Sequence, residues 1–495
     1  MMDLKSNRAA TIDIGSNSIR LVIYDVLGAS ILPTFNEKVM AGLGKGLAET
    51  GRLSEKGKVA GIDALERFYA ILKALGLEHF SAVATAAVRE AEDGPEWRAQ
   101  AERVLGRPIS ILSGEDEARV SAMGVQTSVF QAKGVVGDLG GSSVEFKQIG
   151  ADAPQGESHL LGPLSLAGLM PDLDAVRQTV RAQLKQSKVL KNASGDFYAV
   201  GGAWRALASL SMEMDSYPLR VLHEYEMTVE QVSRVTKLCL KSLSDENARK
   251  KVQAVSKRRT STMPIASIVL EEAIRVGGFD RIVVSSSGLR EGVLVDLTGA
   301  AIVDPLVDGV IAFARLSREQ IAFGQALIDF TAPSLAKGSP VFETPENDAR
   351  IFRAACMMAD IAGRFHPDHR ANMAYYQALR APYSAVRHSE RAFIASAVGR
   401  RYGKYFKVPA EYQRLLTADQ AQRAKQLGSA MRLGAVFSGS SGPILKRATL
   451  ERSKKELKLI VNQADAAMVS ESVRRRLEQT ANTFDLDASV VIRSV

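Results

Sequence analysis

The chain has 495 residues, of which 46% are hydrophobic, so it can bury several cores, and its length predicts two to four domains. Its only cysteines, Cys239 and Cys356, are too few and too far apart for a disulfide scaffold or a thiolate metal cluster, which favours the reducing cytoplasm. The N-terminus has no apolar signal region, and no window holds the roughly 18 uncharged apolar residues of a membrane span, so we expect neither export nor a transmembrane helix.

The net charge of +9 is concentrated in the C-terminal part of the chain. Residues 301–495 carry 28 basic and 19 acidic side chains, whereas residues 1–300 carry 36 of each. Within residues 361–460 the counts are 19 basic and 6 acidic. A field of this sign attracts polyanions such as nucleic acid, anionic lipid or polyphosphate. A charged run is also commonly a plain solvated surface, and composition leaves both interpretations open.

Hydrophobic periodicity predicts an α/β N-terminal half. The stretch LSEKGKVAGIDALERFYAILKAL has the three-to-four spacing of an amphipathic helix. Alternation of strands and helices continues to about residue 300 and then stops. Beyond it, segments rich in Ala, Arg, Leu and Gln at helical spacing predict a helical C-terminal domain, interrupted by a proline-rich link at 331–346. The strands expected in the first 150 residues are 9–14, 19–26, 81–85, 109–112 and 135–139.

One short phrase occurs twice, each time between two apolar strands: DIGSNS from Asp13 and DLGGSS from Asp138. The repetition predicts two related lobes that place equivalent hairpin turns against one cleft. Glycine permits positive φ and close approach of the backbone, so the N–H groups of each turn can surround an anion, and the polar side chains add donors. We expect phosphate to bind there. The candidate phosphate-binding residues are Gly15, Ser16, Asn17 and Ser18 of the first turn, and Gly140, Gly141, Ser142 and Ser143 of the second turn.

Acidic residues border both turns. Asp13 and Asp138 open them, and Glu145 lies on the strand that leaves the second turn. Such carboxylates can accept hydrogen bonds within the turns, or they can hold Mg²⁺, a hard cation that one or two carboxylates bind together with substrate phosphates. We favour Mg²⁺ at Asp138, Glu145 and Asp13.

A hydrolase also needs a group that activates water. The segment SGEDEARVSAMGV predicts a helix whose first turn contains Glu115, Asp116 and Glu117. One of these acids can serve as general base beside a bound phosphate, or all three can be surface acids that favour the positive end of the helix dipole. The pattern does not choose among them. Arg89, where a strand meets a helix, suits either a two-pronged phosphate contact or an ordinary surface ion pair.

Taken together, these segments resemble the exopolyphosphatase / guanosine pentaphosphate phosphatase (Ppx/GppA) family, which belongs to the actin, Hsp70 and sugar-kinase fold group. The resemblance implies two actin-like (ribonuclease H-like) lobes, at 1–130 and 131–303, around a cleft. It implies Mg²⁺-dependent hydrolysis of the terminal phosphoanhydride of inorganic polyphosphate with release of orthophosphate, removal of the 5′ γ-phosphate of guanosine pentaphosphate (pppGpp), or both. A homodimer is the family expectation. The segments, in family order, are TIDIGSNSIRLVIYD, GLGKGLAETGRLS, ATAAVREA, SGEDEARVSAMGV, GVVGDLGGSSVEF, AVGGAWRALA and IVVSSSGLREGVL.

The same resemblance assigns roles to residues. The family's catalytic glutamate stands directly before Ala-Arg, which in this chain is Glu117. Its phosphate-contacting arginine falls on Arg89, and its two phosphate loops fall on the first and second turns. Asp138 and Glu145 match the acids that the family associates with Mg²⁺.

The chain departs from the family pattern in the second turn and after the segment ATAAVREA. The second turn has Ser142 and Val144 where the family commonly has glycine and threonine. Glu92 and Asp93 replace a common asparagine. Acids that face the cleft would repel a polyanion, so we expect these two to point away from it. Trp204 follows a glycine pair that carries adenine nucleotides in sugar kinases, and we expect it to be a core residue.

Residues 304–495 resemble the HD-type helical domain that longer members add. The HD metal site needs an adjacent His-Asp pair, which this sequence lacks, so we expect an all-α domain that serves binding or dimerisation. Arg400, Arg401, Lys404 and Lys407 recur at helical spacing and predict a track for polyphosphate. We expect no membrane and no specific nucleic acid as partner. The competing interpretations are a polyanion-binding regulator with a decayed active site, and a sugar or acetate kinase.

Overall fold

A computed structural model of the chain describes residues 7–150, 153, 155–299, 302–336 and 338–493. The chain divides into two compact units, Met1–Pro305 and Leu306–Val495. Among the described helices, none combines the length and the apolar composition that crossing a bilayer requires.

The N-terminal unit begins with a five-stranded sheet. The first three strands pair antiparallel, and the last two run parallel to the first. The four predicted strands are confirmed, but β3 was not predicted. It is an edge strand with four consecutive exposed residues, 33–36, so it lacks the alternation that marks a half-buried strand. The strands are β1 (Asn7–Ile14), β2 (Ile19–Leu27), β3 (Ser30–Val39), β4 (Phe80–Ala84) and β5 (Ile109–Ile111), in the order β3-β2-β1-β4-β5. The helices are α1 (Leu47–Thr50), α2 (Glu55–Ala74), α3 (Ala86–Glu90) and α4 (Gly94–Leu105).

A six-stranded sheet follows in the same unit. Its core contains Trp204, which is buried and donates a hydrogen bond from Nε1 to Ala266 O at 3.0 Å, so the predicted core role of Trp204 is confirmed. The strands are β6 (Gly134–Leu139), β7 (Val144–Gln148), β8 (Glu157–His159), β9 (Asp196–Val200), β10 (Tyr225–Thr228) and β11 (Arg281–Val284), in the order β10-β11-β9-β6-β7-β8. The helices are α5 (Gly114–Gln126), α6 (Leu173–Leu184), α7 (Lys188–Lys191), α8 (Gly202–Met214), α9 (Val229–Lys241), α10 (Glu246–Ser256), α11 (Met263–Gly277) and α12 (Leu289–Thr298), with short 3-10 turns at Ala167–Leu169 and Lys257–Arg259.

The two sheets repeat one connectivity. In each, an antiparallel hairpin (β1-β2 and β6-β7) continues into a third antiparallel strand (β3 and β8), and the first hairpin strand pairs on its other side with a parallel strand (β4 and β9). The repeated sequence phrase therefore corresponds to a repeated fold. It places each predicted turn at the same end of its sheet.

Helices α5 and α12 pack against each other closely enough to need glycine. A Cβ atom at Gly124 of α5 would collide with the backbone of Gly288, and one at Gly292 of α12 would collide with Val120. Helix α12 also packs against β1, although it follows the last strand of the second sheet. The two helices run antiparallel, so the start of α12 lies beside the C-terminal half of α5, and Arg119 near the start of α5 pairs with Asp296 near the end of α12.

The C-terminal unit is mainly helical, but the all-α expectation for it is wrong. Residues 448–493 contain a three-stranded sheet in which the first two strands form an antiparallel hairpin and the last two are parallel. In the second strand of the hairpin, the buried Leu457 and Leu459 alternate with the half-buried Glu456 and Lys458, but this period-2 pattern is too short to distinguish a strand from a charged helix. The strands are β12 (Ala448–Arg452), β13 (Glu456–Asn462) and β14 (Asp487–Arg493).

The predicted link at 331–346 is also partly helical, because the helix before it continues through Pro333 to Leu335. The resemblance to HD-type domains stays a prediction. The helices are α13 (Leu306–Ala314), α14 (Arg318–Leu335), α15 (Pro345–Met357), α16 (Arg370–Arg380), α17 (His388–Tyr402), α18 (Ala418–Ser438), α19 (Gly442–Leu445) and α20 (Glu471–Ala481), with 3-10 turns at Ala410–Leu415 and Gln463–Met468.

Candidate active site

Both predicted turns line one cavity of about 620 Å³ in the N-terminal unit. Each turn is closed by the same hydrogen bond, from Gly15 N to Ser18 O at 3.0 Å and from Gly140 N to Ser143 O at 2.9 Å. The turns approach each other, because a Cβ atom on Gly141 would lie 3.9 Å from the Cβ atom of Ser16. The structure therefore brings the two turns together, as the repeat predicted.

The glycines of the turns allow neighbouring atoms to approach the backbone closely, and they do not adopt positive φ angles. Gly15, Gly140 and Gly141 are not among the residues with positive φ, so that part of the expectation is wrong. A Cβ atom on Gly140 would lie 3.3 Å from Ser143 O, and one on Gly141 would lie 3.2 Å from Leu164 Cδ1. Any larger side chain would have to displace these neighbours.

In both turns the carbonyl groups are bound by a neighbouring segment. Gly44 N donates to Ser16 O at 2.8 Å in the first turn. In the second turn, Gly162 N donates to Ser142 O at 2.9 Å and Leu164 N donates to Gly141 O at 2.9 Å.

Four amide groups of the turns, in contrast, have no acceptor in the described part of the chain. Among the described residues, the N–H groups of Ser16, Asn17, Gly141 and Ser142 meet none. Two sets of backbone donors thus remain available to an anion in the cavity.

The structure distinguishes the three acids at the start of α5. Asp116 completes a capping box with Ser113, and Glu115 is exposed. Glu117 is 9% exposed and lines the cavity. The hydrogen bonds of the helix N-terminus therefore occupy Asp116 and direct Glu117 inward, a choice that the sequence pattern alone left open.

Burial raises the pKa of Glu117 to about 7. The hydrogen bond and charge of Arg89 oppose this rise, whereas the charges of Asp138 and Asp13 add to it. A carboxyl group with a pKa near neutrality is well suited to accept a proton at neutral pH. The site thus has the properties of a general base at Glu117.

Arg89 does not line the cavity. Its Nη1 atom lies 2.8 Å from Glu117 Oε1 and also donates to Leu112 O, while Nη2 lies 3.3 Å from Glu90 Oε1. The guanidinium group therefore contacts the carboxylate of Glu117 from outside the cavity lining. The phosphate contact implied by the family resemblance therefore stays a prediction for Arg89.

The three acids expected at Mg²⁺ all line the cavity, and each has a polar partner. Asp13 Oδ2 lies 3.1 Å from Arg290 Nη1, Asp138 accepts a hydrogen bond from Ser121 Oγ, and Glu145 Oε1 accepts one from Ser158 Oγ at 2.9 Å.

The electrostatics of these acids fit a cation. Burial raises the pKa of Asp138, and burial together with the charge of Glu117 raises the pKa of Glu145 well above its ordinary value. A cation would relieve that repulsion, and carboxylate oxygens are ligands that Mg²⁺ accepts. Within the described ranges, no three or more His, Cys, Asp and Glu side chains are placed to hold a metal ion by themselves. The donor set therefore fits Mg²⁺ if water or substrate phosphate completes the coordination.

Sequence reasoning missed a basic wall of the cavity. The lining contains seven basic and four acidic side chains, so its net charge favours an anionic ligand. Burial, and then the charges of Arg290 and Arg20, lower the pKa of Arg205 to about 10. Lys38 also lines the cavity, where partial burial, followed by the charges of Arg259 and Arg20, lowers its pKa to about 8. The basic residues of the wall are Arg20, Lys38, Arg205, Lys257, Arg258, Arg259 and Arg290.

One of these residues was accessible to sequence reasoning. Asp138 pairs directly with Glu145 across β6 and β7, and at the same register Asp13 pairs with Arg20 across β1 and β2. Glu145 was identified from its place on the strand that leaves the second turn, and Arg20 stands at the same place after the first turn. The two lobes place opposite charges at equivalent positions of one cavity.

Two acids that depart from the family pattern lie outside the cavity lining, as expected. Asp93 is buried, accepts a hydrogen bond from Leu53 N at 2.9 Å and pairs with Lys58 Nζ at 2.9 Å. Glu92 lies 3.8 Å from Arg52. Neither carboxylate repels an anion from the lining.

The four residues of the expected polyphosphate track do not share one helix. Helix α17 ends at Tyr402, so Lys404 and Lys407 lie beyond it. The side chain of Arg401 is only 12% exposed, and that of Arg400 is half-buried. The expected row of four basic residues along one helix is therefore wrong, and binding of polyphosphate by Lys404 and Lys407 stays a prediction.

Residues 22–301 match the model of the Ppx/GppA phosphatase family, and residues 311–491 match the model of the exopolyphosphatase C-terminal region. The guanosine-5'-triphosphate,3'-diphosphate pyrophosphatases of Aeromonas hydrophila and Aeromonas salmonicida are 27% and 26% identical over 305 and 329 residues. These alignments cover 59% and 63% of this chain. They span 59% and 64% of the relatives, less than two thirds of the length of either.

Solved structures agree with this assignment. The crystal structure of the Aquifex aeolicus member of the Ppx/GppA family is 25% identical, covers 59% of this chain and 97% of its own, and has a TM-score of 0.53. An exopolyphosphatase from Cytophaga hutchinsonii shares the fold at 22% identity, with 60% and 99% coverage and a TM-score of 0.52. Because the family model matches more than half of the chain, the chain belongs to the Ppx/GppA phosphatase family.

Proposed function

We propose that the chain is an exopolyphosphatase, which hydrolyses the terminal phosphoanhydride of inorganic polyphosphate and releases orthophosphate. One observation carries the proposal: the same basic cavity is lined by a buried glutamate of near-neutral pKa and by two turns with backbone N–H groups that have no acceptor among the residues the structure describes. The donors suit phosphate oxygens, and the glutamate suits the activation of water.

The arrangement supports an in-line displacement. The N–H groups of the two turns bind the oxygens of the terminal phosphate, and the basic wall binds the phosphates that follow it. Glu117 accepts a proton from a water molecule as the water oxygen forms a bond to the terminal phosphorus. The bridging P–O bond breaks, orthophosphate is released, and the shortened chain retains the bridging oxygen. Arg89 orients Glu117 and keeps part of its population ionised.

A bound Mg²⁺ would offset the charge of the phosphate oxygens, with Asp138 and Glu145 as its protein ligands. Asp13 is less available than the sequence suggested, because Arg290 forms an ion pair with it. Dependence of phosphate release on added Mg²⁺ tests this part of the proposal. The homodimer expected from the resemblance stays a prediction.

The second candidate is pppGpp 5′-phosphatase activity at the same site. It is favoured by the similarity to the Aeromonas guanosine-5'-triphosphate,3'-diphosphate pyrophosphatases and by two exposed apolar side chains of the cavity lining, Met40 and Leu164. Such side chains offer a surface to a nucleobase, whereas polyphosphate needs none.

Orthophosphate release from long-chain polyphosphate and from pppGpp, measured on one enzyme preparation with and without Mg²⁺, tests the proposal. We expect the higher kcat/KM on polyphosphate. A higher value on pppGpp would assign the site to the nucleotide. Release from neither substrate would contradict phosphatase activity.

A further inference from the structure

The C-terminal unit contains a second cavity, of about 420 Å³, that the proposed reaction does not use. Three arginines line it, Arg364, Arg370 and Arg401, together with the single carboxylate of Asp360. They come from separate parts of the fold: Asp360 and Arg364 follow α15, Arg370 begins α16, and Arg401 lies in the last turn of α17. The fold therefore gathers three cations around one small space.

The positive charge of this cavity is not balanced by protein acids. The one ion pair joins Arg401 Nη2 and Asp360 Oδ1 at 3.6 Å. Within the described part of the chain, neither Arg364 nor Arg370 pairs with a carboxylate, and Arg370 Nε donates only to Phe365 O at 2.8 Å. The lining thus has a net charge of about +2, the charge that a phosphate dianion neutralises.

Arg401 is the deepest of the three cations. Its side chain is 12% exposed, Nη2 donates to Ser440 Oγ at 3.2 Å, and its guanidinium lies 4.4 Å from the centre of the Tyr402 ring. The Nε atom is buried and has no hydrogen-bond partner among the described residues. Burial lowers the pKa of Arg401, and the charge of Arg370 adds to that effect.

A further cation, Arg432, contacts the cavity lining through Tyr402. Arg432 Nη1 donates to Tyr402 O at 3.0 Å. Burial, followed by the charges of Arg476 and Arg401, lowers the pKa of Arg432 to about 10. A buried cation is costly unless an anion compensates it. Among the described residues, Asp360 is the one carboxylate that pairs with any of these cations.

We propose that this cavity binds a phosphate or pyrophosphate group. Guanidinium groups match the spacing of phosphate oxygens and form charge-assisted hydrogen bonds with them. Ser317 and Gln320, from the start of the 18-residue helix α14, also line the cavity, so the positive end of that helix adds to the attraction. The site is separate from the proposed reaction, so the proposal does not depend on catalysis in the N-terminal cavity.

Isothermal titration of the full chain with pyrophosphate tests the proposal. We expect two binding sites in the wild type, one in each cavity. The double variant Arg364→Gln/Arg370→Gln should lose the second site or weaken it about 10- to 100-fold, the effect expected for losing charged hydrogen bonds. These two side chains are the more exposed members of the cluster, so the variant should fold even if Arg401→Gln does not.

Two matched variants make the result interpretable. Arg475→Gln removes an exposed arginine of α20 in the same unit and should keep both sites. Arg205→Gln, in the N-terminal cavity, should affect only the other site. The proposal is overturned if the Arg364/Arg370 variant binds pyrophosphate like Arg475→Gln, or if every site of the wild type responds only to Arg205→Gln.

The same titration with GDP separates two sources of the phosphate group. GDP binding that depends on Arg364 and Arg370 would assign the cavity to the end of a larger phosphorylated molecule. Binding of pyrophosphate but not of GDP would assign it to a free inorganic anion. If neither binds in a way that depends on these arginines, the cavity is not an anion site.

Discussion

Replacing Arg89 by glutamine removes the nearest cation from Glu117 and leaves both turns and the basic wall intact. Arg89 Nη1 lies 2.8 Å from Glu117 Oε1, and the Arg89 side chain is 26% exposed. An opposite charge at this distance lowers the pKa of a carboxyl group by about 1 to 3 units. Because solvent partly screens this pair, we take the lower end of that range.

The variant's Glu117 should then titrate about one unit higher than the wild-type pKa of about 7. At pH 7 the ionised fraction falls from about one half to about one tenth, so kcat/KM should fall about fivefold. The ratio of variant to wild type should approach one at alkaline pH, where both carboxyl groups are ionised.

The assay is kcat/KM for orthophosphate release, measured from acid to alkaline pH, because this parameter reports the ionisation of groups in the free enzyme. Arg98→Gln is a matched control: Arg98 also forms a 2.8 Å ion pair, with Glu102, but lies on α4 outside the cavity. A loss in Arg89→Gln that is equal at every pH would refute the reasoning. It would show that Arg89 contacts phosphate directly, as the family resemblance implies.

Three further predictions concern the proposed site and track. Glu117→Gln should lower kcat about 10²- to 10⁴-fold, the usual loss of a general base, while the exposed Glu115→Gln should retain full phosphate release; equal activities would remove Glu117 from the reaction. Lys38→Arg should move the alkaline limb of kcat/KM upward from about pH 8, because arginine stays charged there, and an unmoved limb would assign that limb to another group. Neutralising Lys404 and Lys407 together should raise KM for long polyphosphate and leave KM for short chains unchanged; equal effects on both would deny the track.

Much of the N-terminal fold is predictable because its signals are local. The pairing of β1 with β2 and of β6 with β7 depends on alternating apolar residues and on turn chemistry within a few positions, and both are visible in the sequence. The strand β3 and the sheet from β12 to β14 escaped prediction for a physical reason. An exposed edge strand shows little alternation, and the short alternation of charged and apolar residues in β13 does not by itself distinguish a strand from a charged helix.

The residues of the candidate active site also divide into those that local sequence patterns reveal and those that they do not. The repeat identified the two turns with Asp13 and Asp138, and the strand that leaves the second turn pointed to Glu145, all without any structure. Arg20 was present at the equivalent register of the first hairpin and was overlooked. Arg205 and Arg290 reach the cavity from the starts of α8 and α12, and no local sequence pattern identified them.

The sequence by itself determined the two hairpin turns, the acids beside them and the basic balance of the C-terminal part, because these depend on residue type and short spacing. Only the tertiary structure decided which acid is buried, which cation neutralises Asp13 and which arginines share a cavity. Asp13 and Arg290 are 277 residues apart in the chain, and Glu117 owes its raised pKa to burial and to neighbours from other elements. Ionisation depends on distances through space, and those distances exist only after the chain has folded.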